Sequence, residues 1–179
     1  MRIVGGTHKG RQFHPGKKFN ARPTTDMAKE NLFNILHHRV DFETIKVLDL
    51  FSGTGSISFE FASRGCRDIT AVELNSRHCR FIREVTEEIG AKSITAVKAD
   101  AFRFVGQTDQ VFDLIFADPP FDHPKFSEVP RLVLSGPVLN PGGIFILEHS
   151  KNHHFSEYPE WKDTRIYGHV LFSFFQKDS

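Results

Sequence analysis

Asp118-Pro119-Pro120-Phe121 is the tetrapeptide whose residue types point most directly to chemistry. It follows the apolar run Val111–Ala117, which predicts a buried strand with the tetrapeptide at its carboxyl end. Two prolines in succession fix the backbone and remove two N–H donors. Carbonyl acceptors are left beside the Asp118 carboxylate, and an aromatic ring follows at once. Acceptors next to a stacking face suit a planar base that carries an exocyclic amine. Such an amine is a poor nucleophile because its lone pair is delocalised into the ring. Hydrogen bonds to Asp118 and to a proline carbonyl would draw the nitrogen toward tetrahedral geometry and free the lone pair, with positioning supplying most of the acceleration. Taken alone, the tetrapeptide is equally a Pro-Pro loop that ends a strand.

A second constellation lies in Lys46–Glu60. Val47, Leu48 and Leu50 read as a buried strand, Asp49 and Phe51 stand at its end, and Gly53-Thr54-Gly55 makes a tight turn into a helix. Strand, glycine turn and helix open a nucleotide pocket at the carboxyl edge of an open sheet. A dinucleotide fingerprint asks for a third glycine three places after Gly55, and position 58 is Ser. An acid at position 49 would repel a pyrophosphate. Glu73 follows Gly53 by 20 residues, where a carboxylate accepts from ribose hydroxyls. The ligand these residues describe is a nucleoside without phosphate, and S-adenosylmethionine fits. The plainer alternative is a glycine pair turning an ordinary βαβ unit.

The elements that must position these groups alternate. Strands are expected at 46–50, 68–73, 93–98, 111–117 and 144–149, with helices at 55–64, 76–89, 101–106 and 125–135 between them. Leu139-Asn-Pro-Gly-Gly143 is expected to turn. A helix over 24–38 precedes the first strand, capped by Thr24 or Thr25, and two β-like runs, 161–167 and 169–176, close the chain around Gly168. Such alternation predicts an α/β fold with a mostly parallel sheet and helices on both faces. At the amino end, Arg2–Gly6 and Gly10–Phe13 read as two short strands joined by a turn. Residues 1–22 are expected to form a basic extension ahead of a domain over 23–179.

Charge is unevenly spread over the 179 residues, whose net charge is +1. The first 40 residues carry a net +6 and the rest a net −5. A basic arm on an acidic body suits a polyanionic partner. No apolar run approaches the ~20 residues of a membrane span, and no secretion signal is evident. Cys66 and Cys79 fit reduced thiols in a cytoplasmic protein, and His149, His153 and His154 are expected to share a solvated loop with no metal.

Together these motifs resemble the class I S-adenosylmethionine-dependent methyltransferases. Within them they resemble the bacterial enzymes that methylate guanine N2 in small-subunit (16S) rRNA, the RsmD family. The resemblance rests on Arg2-Ile-Val-Gly-Gly with Gly10-Arg11, Arg22-Pro-Thr-Thr-Asp26, Glu30-x-Leu32-Phe33-Asn34, Asp49-x-Phe51-x-Gly53-x-Gly55, Asp118-Pro-Pro-Phe121 and the closing Phe-Phe-Gln. It implies a Rossmann-like, seven-stranded sheet with an antiparallel carboxyl-terminal strand and an amino-terminal hairpin. It further implies that Asp49, Phe51, Gly53 and Gly55 surround the methionine part of the cofactor, Glu73 holds the ribose, and Asp100 with the Ala101 amide receives the adenine. Thr24 or Thr25 would reach the cofactor's carboxylate. Asp118, Pro119, Pro120 and Phe121 would hold the guanine, and Lys9, Arg11, Lys17, Lys18 and Arg22 would meet phosphates of rRNA, free or in a partly assembled small subunit. Met27 and Lys29 stand where the family has arginines. Three alternatives remain: an adenine-N6 methyltransferase, a protein-glutamine methyltransferase, and a non-catalytic RNA-binding assembly factor.

Overall fold

The computed structural model describes residues 1–16 and 24–179. After the amino-terminal segment come α1 (Asp26–His37), β1 (Lys46–Leu50), α2 (Ser56–Ser63), β2 (Asp68–Glu73), α3 (Ser76–Ile89), β3 (Ile94–Lys98), α4 (Ala101–Gln107), β4 (Phe112–Ala117), α5 (Val129–Leu134), β5 (Leu139–His149), β6 (Trp161–Tyr167) and β7 (Val170–Gln176). The seven strands form one sheet in the order β3-β2-β1-β4-β5-β7-β6. The first five are parallel, while β7 runs antiparallel to both β5 and β6. The expected mostly parallel sheet with an antiparallel end is present.

Strand periodicity divides the core between two faces. Val47, Ile69, Ala71, Leu114, Phe116, Ile146, Phe172 and Phe174 pack with Leu32 and Phe33 of α1, Phe59 of α2 and Ile82 of α3. Leu48, Leu50, Val72, Ile115, Ala117, Phe145, Leu147 and Phe175 pack with Val105 of α4 and Val129 and Val133 of α5. Each of β1, β2, β4 and β5 is therefore apolar on both sides, which is why those runs lack a polar face, whereas the edge strand β3 exposes Thr95 and Lys98. The stripe Cys79, Ile82, Val85, Ile89 puts one side of α3 in the core, and Gly90 ends that helix in a left-handed conformation.

Two expectations need correction. Leu139–Gly143 is not a separate turn but the first half of β5, whose register against β4 shifts between Phe112 and Leu114. That irregularity admits Pro141 and two glycines without ending the strand. The predicted strands at the amino end reduce to a single antiparallel bridge, Arg2 to Gln12.

The segment 1–16 is held on the sheet's α1/α2 side. Ile3 and Phe13 are buried in its core. Lys29 is 1 % exposed, although charged; its Nζ stands 3.3 Å from Glu60 Oε1 and donates to Arg2 O. Glu60, fully buried, also accepts from Val4 N at 2.8 Å and pairs with Arg64, whose guanidinium lies over the Phe33 ring. Gly6 has φ +74°, and a Cβ there would stand 1.8 Å from Ser63 O. Only glycine lets the backbone come that close to the end of α2. Lys29 thus anchors this segment rather than facing solvent, while Met27 is 58 % exposed.

Candidate active site at the carboxyl edge of the sheet

The strand order reverses between β1 and β4, and the connections after these strands leave opposite faces there. Open sheets bind ligands in the crevice at such a point, outside the carboxyl ends. The motifs at 49–55 and 118–121 follow these two strands and meet at this crevice, where Asp118 N donates to Leu50 O at 3.3 Å.

Beyond β1 the backbone turns sharply. Phe51 is a non-glycine residue at φ 58°, followed by Gly53 at 54° and Gly55 at 78°. A left-handed aromatic residue stores strain that the surroundings must hold. At Gly55 a Cβ would lie 2.9 Å from Ile82 Cγ1, so α3 closes that side of the turn. Glu73 holds the turn from β2, accepting Gly53 N at 2.8 Å through one oxygen and Asn75 N at 2.8 Å through the other. Asp49 is buried beneath α2, and its Oδ2 accepts from Ser58 N at 3.1 Å and Ser58 Oγ at 2.6 Å. Serine at position 58 therefore binds the helix to the strand's acid, where a dinucleotide fold uses a glycine.

Asp100 caps α4, accepting Arg103 N at 2.9 Å, and Ala101 is buried behind it. Phe51 meets Phe102 edge-on at 5.8 Å, and Phe102 stacks on His123 at 5.0 Å, walling the side on which Asp100 stands. After β4, Pro120 O accepts from His123 N, whereas the Pro119 carbonyl accepts no hydrogen bond among the described residues. No hydrogen bond to the Asp118 carboxylate forms among the described residues. Phe121 is 39 % exposed and meets Phe126 edge-on at 6.2 Å. Phe126 in turn stacks on His153 at 4.1 Å.

Thr24 and Thr25 are both engaged within the protein. Thr25 caps α1 by accepting Ala28 N, and Thr24 Oγ1 donates to Glu148 Oε2 at 2.7 Å. Beside them a cleft of about 490 Å³ is lined by Met1, Arg2, Asp26 and Ser56 among others. The Ser56 hydroxyl is buried at the start of α2 with no partner among the described residues. An orphaned hydroxyl at a helix amino end, next to an open cleft, fits an anionic ligand group such as a cofactor carboxylate.

The electrostatics of the edge are unusual. Asp49, Asp118 and Glu148 fall on the α1/α2 face at the ends of β1, β4 and β5. Burial lifts the Asp49 carboxyl to about 7. Burial also lifts Glu148 to about 7, against the hydrogen bond from Thr24. Asp118 stands well above the usual carboxylate range, through burial first and the charges of Glu148 and Asp49 second. Perturbed carboxyls gathered in a crevice mark a functional site.

The comparisons with known proteins agree with this geometry. The family model described as conserved hypothetical protein 95 matches residues 1–176. The chain belongs to that family. The ribosomal RNA small subunit methyltransferase D of Escherichia coli K12 is 25% identical over 182 residues, covering 100% of this chain and 91% of its own. The protein of the same name in Haemophilus influenzae is 28% identical over 156 residues, covering 85% of this chain and 80% of its own. A solved hypothetical protein of Thermus thermophilus superposes with a TM-score of 0.86 at 23% identity over 100% and 99% of the two chains. The 16S rRNA N2 G1207 methyltransferase of T. thermophilus, solved with AdoMet and guanosine, superposes with a TM-score of 0.70 at 21% identity, over 88% of this chain and 45% of that one. The fold is that of the class I methyltransferases.

For this family member, the crevice brings together Asp49, Phe51, Gly53, Gly55, Glu73, Asp118 and Pro119, and Asp100 with Ala101 lies at its β3 side. Lys9 and Arg11 are exposed on the amino-terminal segment, and Lys17, Lys18 and Arg22 lie outside the described residues. Glu148 and Ser56 were not anticipated. Glu148 stands next to last in an apolar strand much as Asp118 follows one, and that parallel was the signal available in the sequence. His149 is not in a loop: it ends β5 with its Nε2 2.8 Å from Ser173 Oγ.

Proposed function

We propose that the protein transfers a methyl group from S-adenosylmethionine to the exocyclic N2 amine of a guanine in small-subunit rRNA. The observation that carries this reading is Asp118: a half-buried carboxylate with no hydrogen bond among the described residues, beside the Pro119 carbonyl and an exposed phenylalanine, at the switch point of a class I methyltransferase sheet. The names of the relatives supply the substrate class.

The bound cofactor supplies an electrophilic sulfonium methyl. The residues of this chain do the rest. Ser56 and the first turn of α2 receive its carboxylate, with Asp49 below as a counter-charge for its cationic groups. Glu73 accepts from the ribose hydroxyls while keeping the Gly53 turn in shape. Phe51 and Phe102 flank the adenine, with Asp100 beside them. Phe121 stacks on the guanine, and Asp118 and the Pro119 carbonyl accept from its N2–H groups. The nitrogen lone pair forms the new C–N bond as the S–CH3 bond breaks, its electrons returning to sulfur. The proton released from nitrogen passes to Asp118 or to water.

Lys9 and Arg11, with Lys17, Lys18 and Arg22, meet phosphates. Outside the first 40 residues the chain is net negative, at −5, so the electrostatic footprint is small. That supports a partly assembled small subunit, with bound ribosomal proteins, as the form in which the RNA is met.

The test is methyl transfer from labelled cofactor to small-subunit rRNA, partly assembled small subunits and duplex DNA, with the product digested to nucleosides. N2-methylguanosine from the rRNA or the particles is the expected product. N6-methyladenosine would keep the pocket and overturn the substrate. No transfer and no cofactor binding would favour an assembly factor.

A further inference from the structure

We propose that Glu148 is a specificity-determining residue that accepts the N1–H of the target guanine, next to Asp118 on the N2 amine. The inference rests on the reading above. Ala117 and Leu147 are paired in the parallel register of β4 and β5, so Asp118 and Glu148 are the next residues along on adjacent strands. Adjacent strands lie about 4.8 Å apart. Phe116 and Ile146 both face the α1/α2 side, so the alternation turns Asp118 and Glu148 to that side as well.

Among the described residues, Glu148 is a poorly compensated group. It is 4 % exposed and has no Lys or Arg partner among the described residues. Thr24 occupies Oε2, and Oε1 receives no hydrogen bond among the described residues. A carboxyl in a buried residue, with one oxygen held by Thr24 and no hydrogen bond to the other among the described residues, is an acceptor that a ligand N–H can engage.

Guanine supplies it. On its Watson–Crick edge the N1–H donor adjoins the N2 amine, so two neighbouring carboxyls can each accept one N–H. A base with the same amine but an unprotonated N1 presents a lone pair to Glu148 instead, and two acceptors facing each other are repelled. A polar site that is left unpaired rejects such an analogue strongly. Burial favours the protonated form of Glu148, and an arriving N–H donor favours the carboxylate. The hydrogen bond from Thr24 fixes one oxygen and leaves the other for the base.

The experiment uses the RNA that the preceding test shows to be methylated, free or reconstituted into particles. It is synthesised with guanine or 2-aminopurine at the target position. 2-Aminopurine keeps the amine and lacks the N1 proton. The wild type is expected to prefer guanine by about tenfold or more in kcat/KM. In Glu148→Gln the amide can still accept from Thr24 and can donate to the bare N1. The preference is expected to fall about tenfold, with 2-aminopurine transfer rising, while cofactor Kd stays within about threefold. Equal losses on both RNAs, or a collapse of cofactor binding, would overturn the assignment and make Glu148 structural or a cofactor ligand. A wild type without preference would overturn it too. No transfer by the wild type to the guanine RNA would instead defeat the functional reading beneath it.

Discussion

The carboxylate of Glu73 receives the amide of Gly53 at 2.8 Å, so the residue that ends β2 sets the shape of the turn that follows β1. One side chain thus shapes the turn and is the residue proposed to receive the ribose. Glu73→Ala is expected to raise cofactor Kd more than tenfold, because both the proposed ribose contact and the support of the turn are lost. Glu73→Gln keeps one acceptor and should fall between. Calorimetric titration with S-adenosylmethionine measures both; equal affinities in Glu73→Ala and wild type would remove Glu73 from the pocket.

Asp118 has no structural partner among the described residues, so its removal should cost chemistry and little else. Asp118→Ala is expected to lower kcat by about 10²–10³, in line with removal of one preorganised polar group. Cofactor affinity should stay within a few-fold. A large loss of cofactor binding would place Asp118 in the wrong pocket.

The raised carboxyls make stability depend on pH. Asp49 moves from 3.8 to about 7 on folding, and Asp118 and Glu148 move in the same direction. Between about pH 4 and 7 the folded state then holds more protons than the unfolded state, so this share of stability is present at low pH and lost as pH rises through that window. Tm of the cofactor-free protein should fall from pH 5 to pH 8. Asp49→Asn keeps an acceptor for Ser58 and should flatten the slope; an unchanged slope would mean that Asp49 does not titrate there.

Glu60 joins α2, Lys29 of α1 and the amide of Val4. Glu60→Gln leaves Lys29 buried without a full counter-charge, which costs about 3–5 kcal/mol for a broken buried pair. Urea unfolding should show it as a lower midpoint. Replacing Lys29 with methionine in the same chain should recover part of the loss, and a double variant no better than the single one would refute the pairing.

Lys9 and Arg11 are exposed on a segment that the core holds in place. Neutralising both should weaken RNA binding and reduce the slope of log K against log salt by about 1.4, the value for two phosphate contacts on a single strand. An unchanged slope would remove this segment from the interface.

Local pattern carried most of the architecture. The bounds of β1, β2 and α3 follow from apolar runs and a stripe at helical spacing, because burial on both faces or on one face is written into period. The placement of Asp49, Gly53, Gly55, Glu73 and Asp118 around one crevice was legible because each stands at a fixed offset from a strand end. What the sequence could not show depends on which distant segments meet. Thr24 reaches Glu148 across 124 positions, and Lys29 finds Glu60 inside the core although both read as surface residues. The left-handed Phe51, and the Ser56 hydroxyl with no partner among the described residues, likewise depend on how α2 is held against Asp49 of β1 and the turn against Glu73. Period and offset are local properties of a chain. A buried charge's partner, and a carboxyl's readiness to accept from a base, exist only once the strands lie side by side.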